Sequence, residues 1–305
     1  MRSLLSLADI DDRTLAALVD RAVVLGRTPQ PEQTLAGKSV GIYFRRSSTR
    51  TRTAFWSAAV RLGAHAISYG PDDLQLVTGE SLEDTGRVLG NYLDILVART
   101  NDDMAELRGL ARSGELSIVN ALTAYEHPTQ ALADLAMLTE EFGSLDGREL
   151  LYVGEGNSTA AALALATAHV PGFRLTVVTP PGYGMPDEVL PLVEEIGGST
   201  HGVTQTHDLA SVDRTVDAVY TARWQTMGVQ HADQEWMKAF LPYQVTTGLL
   251  DRLSKDDTIF MHDLPAMRGE EVVDEVLDGP RSRAWRQAYH KMTAAMAVLE
   301  WCAAA

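Results

Sequence analysis

Apolar runs of strand length alternate with segments of helical periodicity along the whole chain, and that alternation restricts it to an α/β fold with mainly parallel sheets. Ser39–Phe44, Ile95–Ala98, Ser117–Leu122, Leu150–Val153, Leu175–Val178, Ala218–Thr221 and Thr258–Met261 read as strands. Between the first two, Thr49–Leu62 reads as a helix with Ala54, Phe55, Ala58, Ala59 and Leu62 on one face. Ser81 and Asp84 form a capping-box pattern ahead of a helix carrying Val88, Leu89 and Tyr92. Pro128 suits a first helical turn, and Gly143 suits the stop of that helix. The chain has 305 residues. At about 150 residues per domain that predicts two similar-sized domains, each a mainly parallel sheet flanked by helices. The polar stretch Ser144–Arg148 marks the break, giving residues 1–140, residues 141–280 and a terminal helical segment 281–305.

The formal net charge is −15, which argues against nucleic acid and anionic lipid as partners. A single cysteine, Cys302, permits no internal disulfide and suits a reducing cytoplasm. Met1–Asp9 does not read as a signal peptide, and no apolar run reaches the ~20 residues of a membrane span. His201, His207 and His231 lack the spacing of zinc ligands and read as solvated, so no metal is expected. Gly154-x-Gly156 follows a strand as a dinucleotide loop would, yet the third glycine is absent, which argues against a nucleotide cofactor.

In so acidic a chain, clustered cations stand out. Arg45, Arg46, Ser47, Ser48, Thr49, Arg50, Thr51 and Arg52 lie where a strand turns into a helix. Backbone N–H groups and the positive end of the helix dipole favour an anion there, and arginine adds bidentate bonds to phosphate oxygens. The plainer reading is a helix cap followed by solvated arginines. A second cluster, Glu126 to Gln130, opens another helix, with His127 able to polarise a carbonyl. A third, His262 to Gly269, follows a strand, and Arg99 ends one. Ligands of open parallel sheets bind beyond such strand ends.

These residues resemble the aspartate/ornithine carbamoyltransferase family. Phe44–Arg52, Gly79-Glu80 through Leu89, His127–Asp134, Met227-Gly228 and Leu264–Val272 match its motifs in order, across about residues 35 to 300. Gln75, Thr78 and Met227-Gly228 place the chain nearer the ornithine branch. The resemblance implies carbamoyl phosphate as donor, an amine as acceptor and no cofactor. It implies that Ser48, Thr49, Arg50 and Thr51 hold the phosphate and that Arg99, His127 and Thr51 face the carbonyl oxygen. Gln130 and the Leu264 carbonyl would face the carbamoyl nitrogen. Gln75 would come from a neighbouring subunit of a homotrimer, and Lys291 would stand where the family's terminal helix carries an arginine.

The acceptor positions depart from that pattern. Gly-Asp-Gly-Asn-Asn is here Gly154-Glu155-Gly156-Asn157-Ser158. The aspartate that would grip an α-ammonium is Ala222, followed by Arg223, Trp224, Gln225, Thr226 and Met227. His-Cys-Leu-Pro is His262-Asp263-Leu264-Pro265. Asn157, Ser158, Ala222, Arg223, Thr226, Met227 and Asp263 are therefore the candidate acceptor residues. Three changes there beside an intact phosphate motif point to an amine other than ornithine. A genuine ornithine carbamoyltransferase and a carbamoyl-phosphate-binding homologue without turnover are the alternatives. The chemistry expected is direct acyl transfer: an uncharged amine attacks the carbonyl and phosphate leaves, with fixed donors stabilising the oxyanion.

Overall fold

A computed structural model describes residues 1–100, 102–198, 202–225, 231 and 235–304. The chain divides into two compact units, Met1–Glu140 with Tyr289–Ala305, and Glu141–Ala288. The first unit runs α1 (Asp12–Gly26), β1 (Ser39–Phe44), α2 (Arg50–Arg61), β2 (His65–Tyr69), α3 (Leu82–Gly90), β3 (Ile95–Arg99), α4 (Met104–Ala111), β4 (Ser117–Leu122) and α5 (Pro128–Phe142). The second begins with β5 (Glu149–Val153), α6 (Ser158–Ala168), β6 (Arg174–Val178), α7 (Val189–Gly197) and β7 (Val203–Thr206). It continues through β8 (Val216–Thr221), α8 (Trp236–Phe240), α9 (Thr247–Leu253), β9 (Ser254–His262) and α10 (Asp274–Leu277). The last helix, α11 (Ala284–Ala303), returns the chain to the first unit.

The first sheet is parallel with strand order β2-β1-β3-β4, and the second is parallel with order β7-β6-β5-β8-β9. In each, the chain starts in the middle, builds outward to one side and then crosses to the other. The reversal falls between β1 and β3 in the first sheet and between β5 and β8 in the second. Helices leaving neighbouring strands at such a point diverge to opposite faces, so a crevice opens beyond the carboxyl ends. Arg99 pairs in register with Phe44 at the first reversal, and Thr221 with Val153 at the second.

Burial follows the expected periodicity. On α2, Phe55, Ala58 and Ala59 are buried, with Leu62 just beyond. Every residue of α6 is buried, including Ser158, Thr159 and Thr167 among its alanines and leucines, as a helix apolar on most of its surface requires. On α3 the reading differs: Thr85, Gly86 and Leu89 form the buried stripe, while Val88 lies on the outer face and Tyr92 lies beyond the helix end, exposed. The Ser81 hydroxyl does cap this helix, accepting from Asp84 N–H at 3.1 Å. Strand β2 has no apolar alternation to announce it, because it is an edge strand with mostly exposed side chains.

Candidate active site

In the first unit the basic cluster resolves into different jobs. Arg45 is tied to Asp102 at 2.6 Å and to Glu106 at 2.9 Å. Arg52 stacks over the Phe44 ring at 5.3 Å. Arg50 opens α2, half-buried, and Thr51 is buried beside it. Thr49 precedes the helix in helical conformation and its side chain makes no cap. The first-turn N–H groups are thus not satisfied by their own threonine, which is the arrangement an external anion uses. Across the strand reversal, buried Arg99 donates from Nη1 to the Ser48 hydroxyl at 3.3 Å. Of the plainer reading, the capping hydroxyl is absent here, while Arg46 is exposed as that reading expects.

His127 and Gln130 enter from α5. Pro128 begins this helix, and Gln130 N–H returns to the His127 carbonyl at 3.0 Å. His127 is buried and its Nδ1 has no hydrogen-bond partner. Burial, with the charges of Lys291 and Arg99, holds its pKa well below the ordinary histidine range. It is therefore a neutral imidazole at physiological pH, able to donate or accept one hydrogen bond without bringing a charge. Gln130 is oriented from both ends: its Nε2 donates to Asp134 at 2.7 Å, and its Oε1 accepts from the Lys291 ammonium. Lys291 is buried on α11, so the terminal helix does supply a cation to this unit. Asp134 was within reach of sequence reasoning, since it lies one helical turn beyond Gln130.

Gln75 stands apart. It is exposed in a short 3-10 turn, and its side-chain oxygen accepts from Thr78 at 2.9 Å. Glu126, beside His127, is fully buried; its Oε1 accepts from Leu7 N–H at 2.8 Å while Oε2 has no partner. Burial pushes its carboxyl up to about 7. Its sequence neighbourhood gave no sign of this, because the burial comes from the N-terminal segment.

In the second unit the helix start is closed by its own side chain. Asn157 Oδ1 accepts from Thr159 N–H at 3.0 Å and Ala160 N–H at 3.2 Å, so this anion position is filled. Gly156 is glycine for packing: a Cβ would stand 2.2 Å from Met185 N and 2.3 Å from the Gly184 carbonyl carbon. The chain's own backbone thus packs directly against this glycine, and Gly156 N–H donates to the Tyr183 carbonyl at 2.8 Å. Ser158 and Ala222 are buried, and Arg223 is partly exposed. Thr226, Met227 and His201 lie outside the described residues. His207 is exposed, whereas His231 is not solvated: its side chain is 9% exposed, 3.4 Å from Glu155 and 5.2 Å from the Tyr183 ring. Aromatic packing from Trp236 and Phe240 displaces water there, which a polar local sequence does not announce.

Beyond β9 the backbone turns sharply. Leu264 has φ +54, an unfavourable value for a branched side chain, and precedes a cis peptide to Pro265. Its N–H donates to His262 Nδ1 at 2.8 Å, and His262 Nε2 faces Glu271 at 3.1 Å. Nδ1 is thereby the acceptor and Nε2–H the donor, so the ring is fixed in one tautomer. Asp263 bonds to the Thr159 hydroxyl at 3.1 Å, and Arg268 is engaged by Asp274 and Asp278 instead.

The comparisons with known proteins agree with this architecture. Residues 2–140 match the family described as Aspartate/ornithine carbamoyltransferase, carbamoyl-P binding domain, and residues 146–302 match its Asp/Orn binding domain. The chain belongs to this family. It is a carbamoyltransferase. It is 40% identical over 296 residues to the ornithine carbamoyltransferase of Haloquadratum walsbyi, covering 95% of each chain. It is 40% identical to that of Gloeobacter violaceus, covering 97% of this chain and 94% of the relative. The solved ornithine carbamoyltransferase of Pyrococcus furiosus is similar with a TM-score of 0.90 at 36% identity, covering 98% of this chain and 96% of that one. The carbamoyl-phosphate domain of this carbamoyltransferase is the unit whose helix start lacks a side-chain cap, and the amino-acid domain is the one whose helix start is capped.

Proposed function

We propose that this carbamoyltransferase transfers the carbamoyl group of carbamoyl phosphate to the side-chain amine of ornithine, releasing citrulline and phosphate. The observation that carries the donor half is the start of α2, uncapped by its own threonine, beside the Arg99–Ser48 bond at a strand reversal. In this reading Ser48, Thr49, Arg50 and Thr51 bind the phosphate. Arg99, Thr51 and neutral His127 donate to the carbonyl oxygen as it becomes an oxyanion, where one donor is typically worth ~10²–10³ in rate. Gln130, oriented by Asp134 and Lys291, and the Leu264 carbonyl accept from the carbamoyl nitrogen. Positioning and charge stabilisation suffice for the transfer, so no cofactor enters the scheme. The acceptor half rests on the relatives, whose names favour ornithine over the different amine that the sequence departures alone suggested.

A second reading, an amine other than ornithine, is favoured by Ala222, whose side chain is buried and offers no polar atom where the pattern has an aspartate. Citrulline formation decides between them. The first reading expects it with a Michaelis constant in the ~1 μM–1 mM range of ordinary enzymes, and with Arg50→Ala abolishing it. Phosphate release from another amine without citrulline would favour the second. We further propose a cytoplasmic homotrimer in which Gln75 serves a neighbour. Exposed Trp56, Val60, Val77, Val88 and Tyr92 on the first unit support an assembly surface. Cys302 is buried, its thiol pushed up to about 12 by burial, which fits a thiol that takes no part in redox chemistry. No helix among the described residues is long and apolar enough to cross a membrane.

A further inference from the structure

Strands β8 and β9 run side by side, with Thr221 paired to His262. The next residue on each, Ala222 and Asp263, therefore follows the last paired residues at the carboxyl edge of the sheet. Ala222 presents only a buried methyl group. Asp263 presents a carboxylate whose side chain is 18% exposed, and among the described residues no lysine or arginine lies within ion-pair distance of it. The nearest basic group is His262 Nδ1, 3.6 Å from Oδ1. That nitrogen already accepts the Leu264 N–H and so carries no proton to share.

The carboxylate is nonetheless held in place. Thr159, in the first turn of α6, donates its hydroxyl to Oδ2 at 3.1 Å. Thr159 N–H is in turn bound by the Asn157 cap, so the hydroxyl is presented by a fixed backbone. A carboxylate mostly withdrawn from water, oriented by a neutral donor and lacking a cation is short of one charged partner. It sits beyond the strand ends, where ligands of parallel sheets bind.

We infer that Asp263, oriented by Thr159, is an ammonium-binding subsite of the acceptor domain, so that the acceptor is an amine carrying a second, charged ammonium group. This deepens the proposed function and rests on it. The group is gripped from β9, one strand over from the alkyl side chain at 222. Selection then depends on the distance between the reacting amine and the charged one, and an amine lacking the second ammonium gains nothing from Asp263.

The test is calorimetric binding of ornithine, 2,4-diaminobutyrate, putrescine and 5-aminopentanoate to the full-length enzyme saturated with inorganic phosphate, alongside phosphate release from carbamoyl phosphate. Asp263→Asn keeps an oxygen for the Thr159 hydroxyl and removes only the charge. The best-bound diamine should weaken by about 10- to 100-fold in this variant, the loss of one charge-assisted bond, while 5-aminopentanoate is unaffected. Thr159→Val, which keeps shape and removes the donor, should weaken the same diamine and spare 5-aminopentanoate. Equal losses for all four amines, unchanged affinities in Asp263→Asn, or no binding of any diamine to the wild type would overturn the subsite. If no amine supports phosphate release while the diamine discrimination persists, the transfer reading fails and the subsite stands.

Discussion

Replacing Glu126 by glutamine should change how stability depends on pH. The Glu126 carboxyl is fully buried, with one oxygen bonded to Leu7 N–H and the other unpartnered. Burial is the dominant cause of its raised pKa; the Ser6 hydroxyl and Leu7 N–H pull the other way, nearby Asp9 adds to the rise, and Arg108 opposes it. Because the folded value lies above the unfolded one, the folded state binds the extra proton between them. Stability therefore falls as pH rises from 4.5 to about 7 and is flat above. At 1.36 kcal/mol per unit, that shift amounts to about 3 kcal/mol. Glutamine can accept the same N–H and never ionises, so its own cost, about 1–3 kcal/mol for a buried unpartnered amide, is independent of pH. Urea denaturation of both proteins at matched concentration should show the variant gaining about 2.5 kcal/mol relative to wild type between pH 5 and 8. Parallel stability curves across that range would refute the reasoning. The variant should also unmask His127. Its folded pKa lies below the unfolded one, so its contribution is lost as pH falls below about 6.5, opposing Glu126 in the wild type.

Lys291→Met removes the donor that orients Gln130 and one of the charges that depress the His127 pKa. Its kcat/KM for carbamoyl phosphate should fall about 10- to 100-fold and the acid limb of its pH profile should move to higher pH; an unmoved acid limb would count against the electrostatic role. Gly156→Ala drives a Cβ into the backbone at Gly184 and Met185 and should destabilise the second unit by about 1–3 kcal/mol or more, seen as a lowered Tm. An unchanged Tm would mean the Gly184–Met185 segment yields freely. Mixing Arg50→Ala and Gln75→Ala proteins should restore activity in hybrid assemblies, because some shared sites would carry neither lesion. No recovery after verified subunit exchange would place Gln75 in its own subunit's service.

The strands carrying both candidate sites were legible as apolar runs, the helix after Thr49 was legible from its periodicity, and the start at Pro128 was legible from proline's fit to a first helical turn. Period and composition suffice there because β1, β3, β5 and β8 are buried on both faces, which leaves little choice of residue. The arginine-rich turn also announced an anion site, since so acidic a chain gives clustered cations little other reason to exist. Sequence could not divide the labour within that turn. Arg45 bonds to residues about 60 positions away, and only folding brings Asp102 and Glu106 to it. The same holds for Lys291 on Gln130, Thr159 on Asp263 and Leu7 on Glu126. Which carboxylate keeps a cation, and which histidine stays neutral, depends on burial and on partners distant in sequence. Charge energies change steeply over a few ångströms once water is excluded, so those states were decided by the tertiary structure alone.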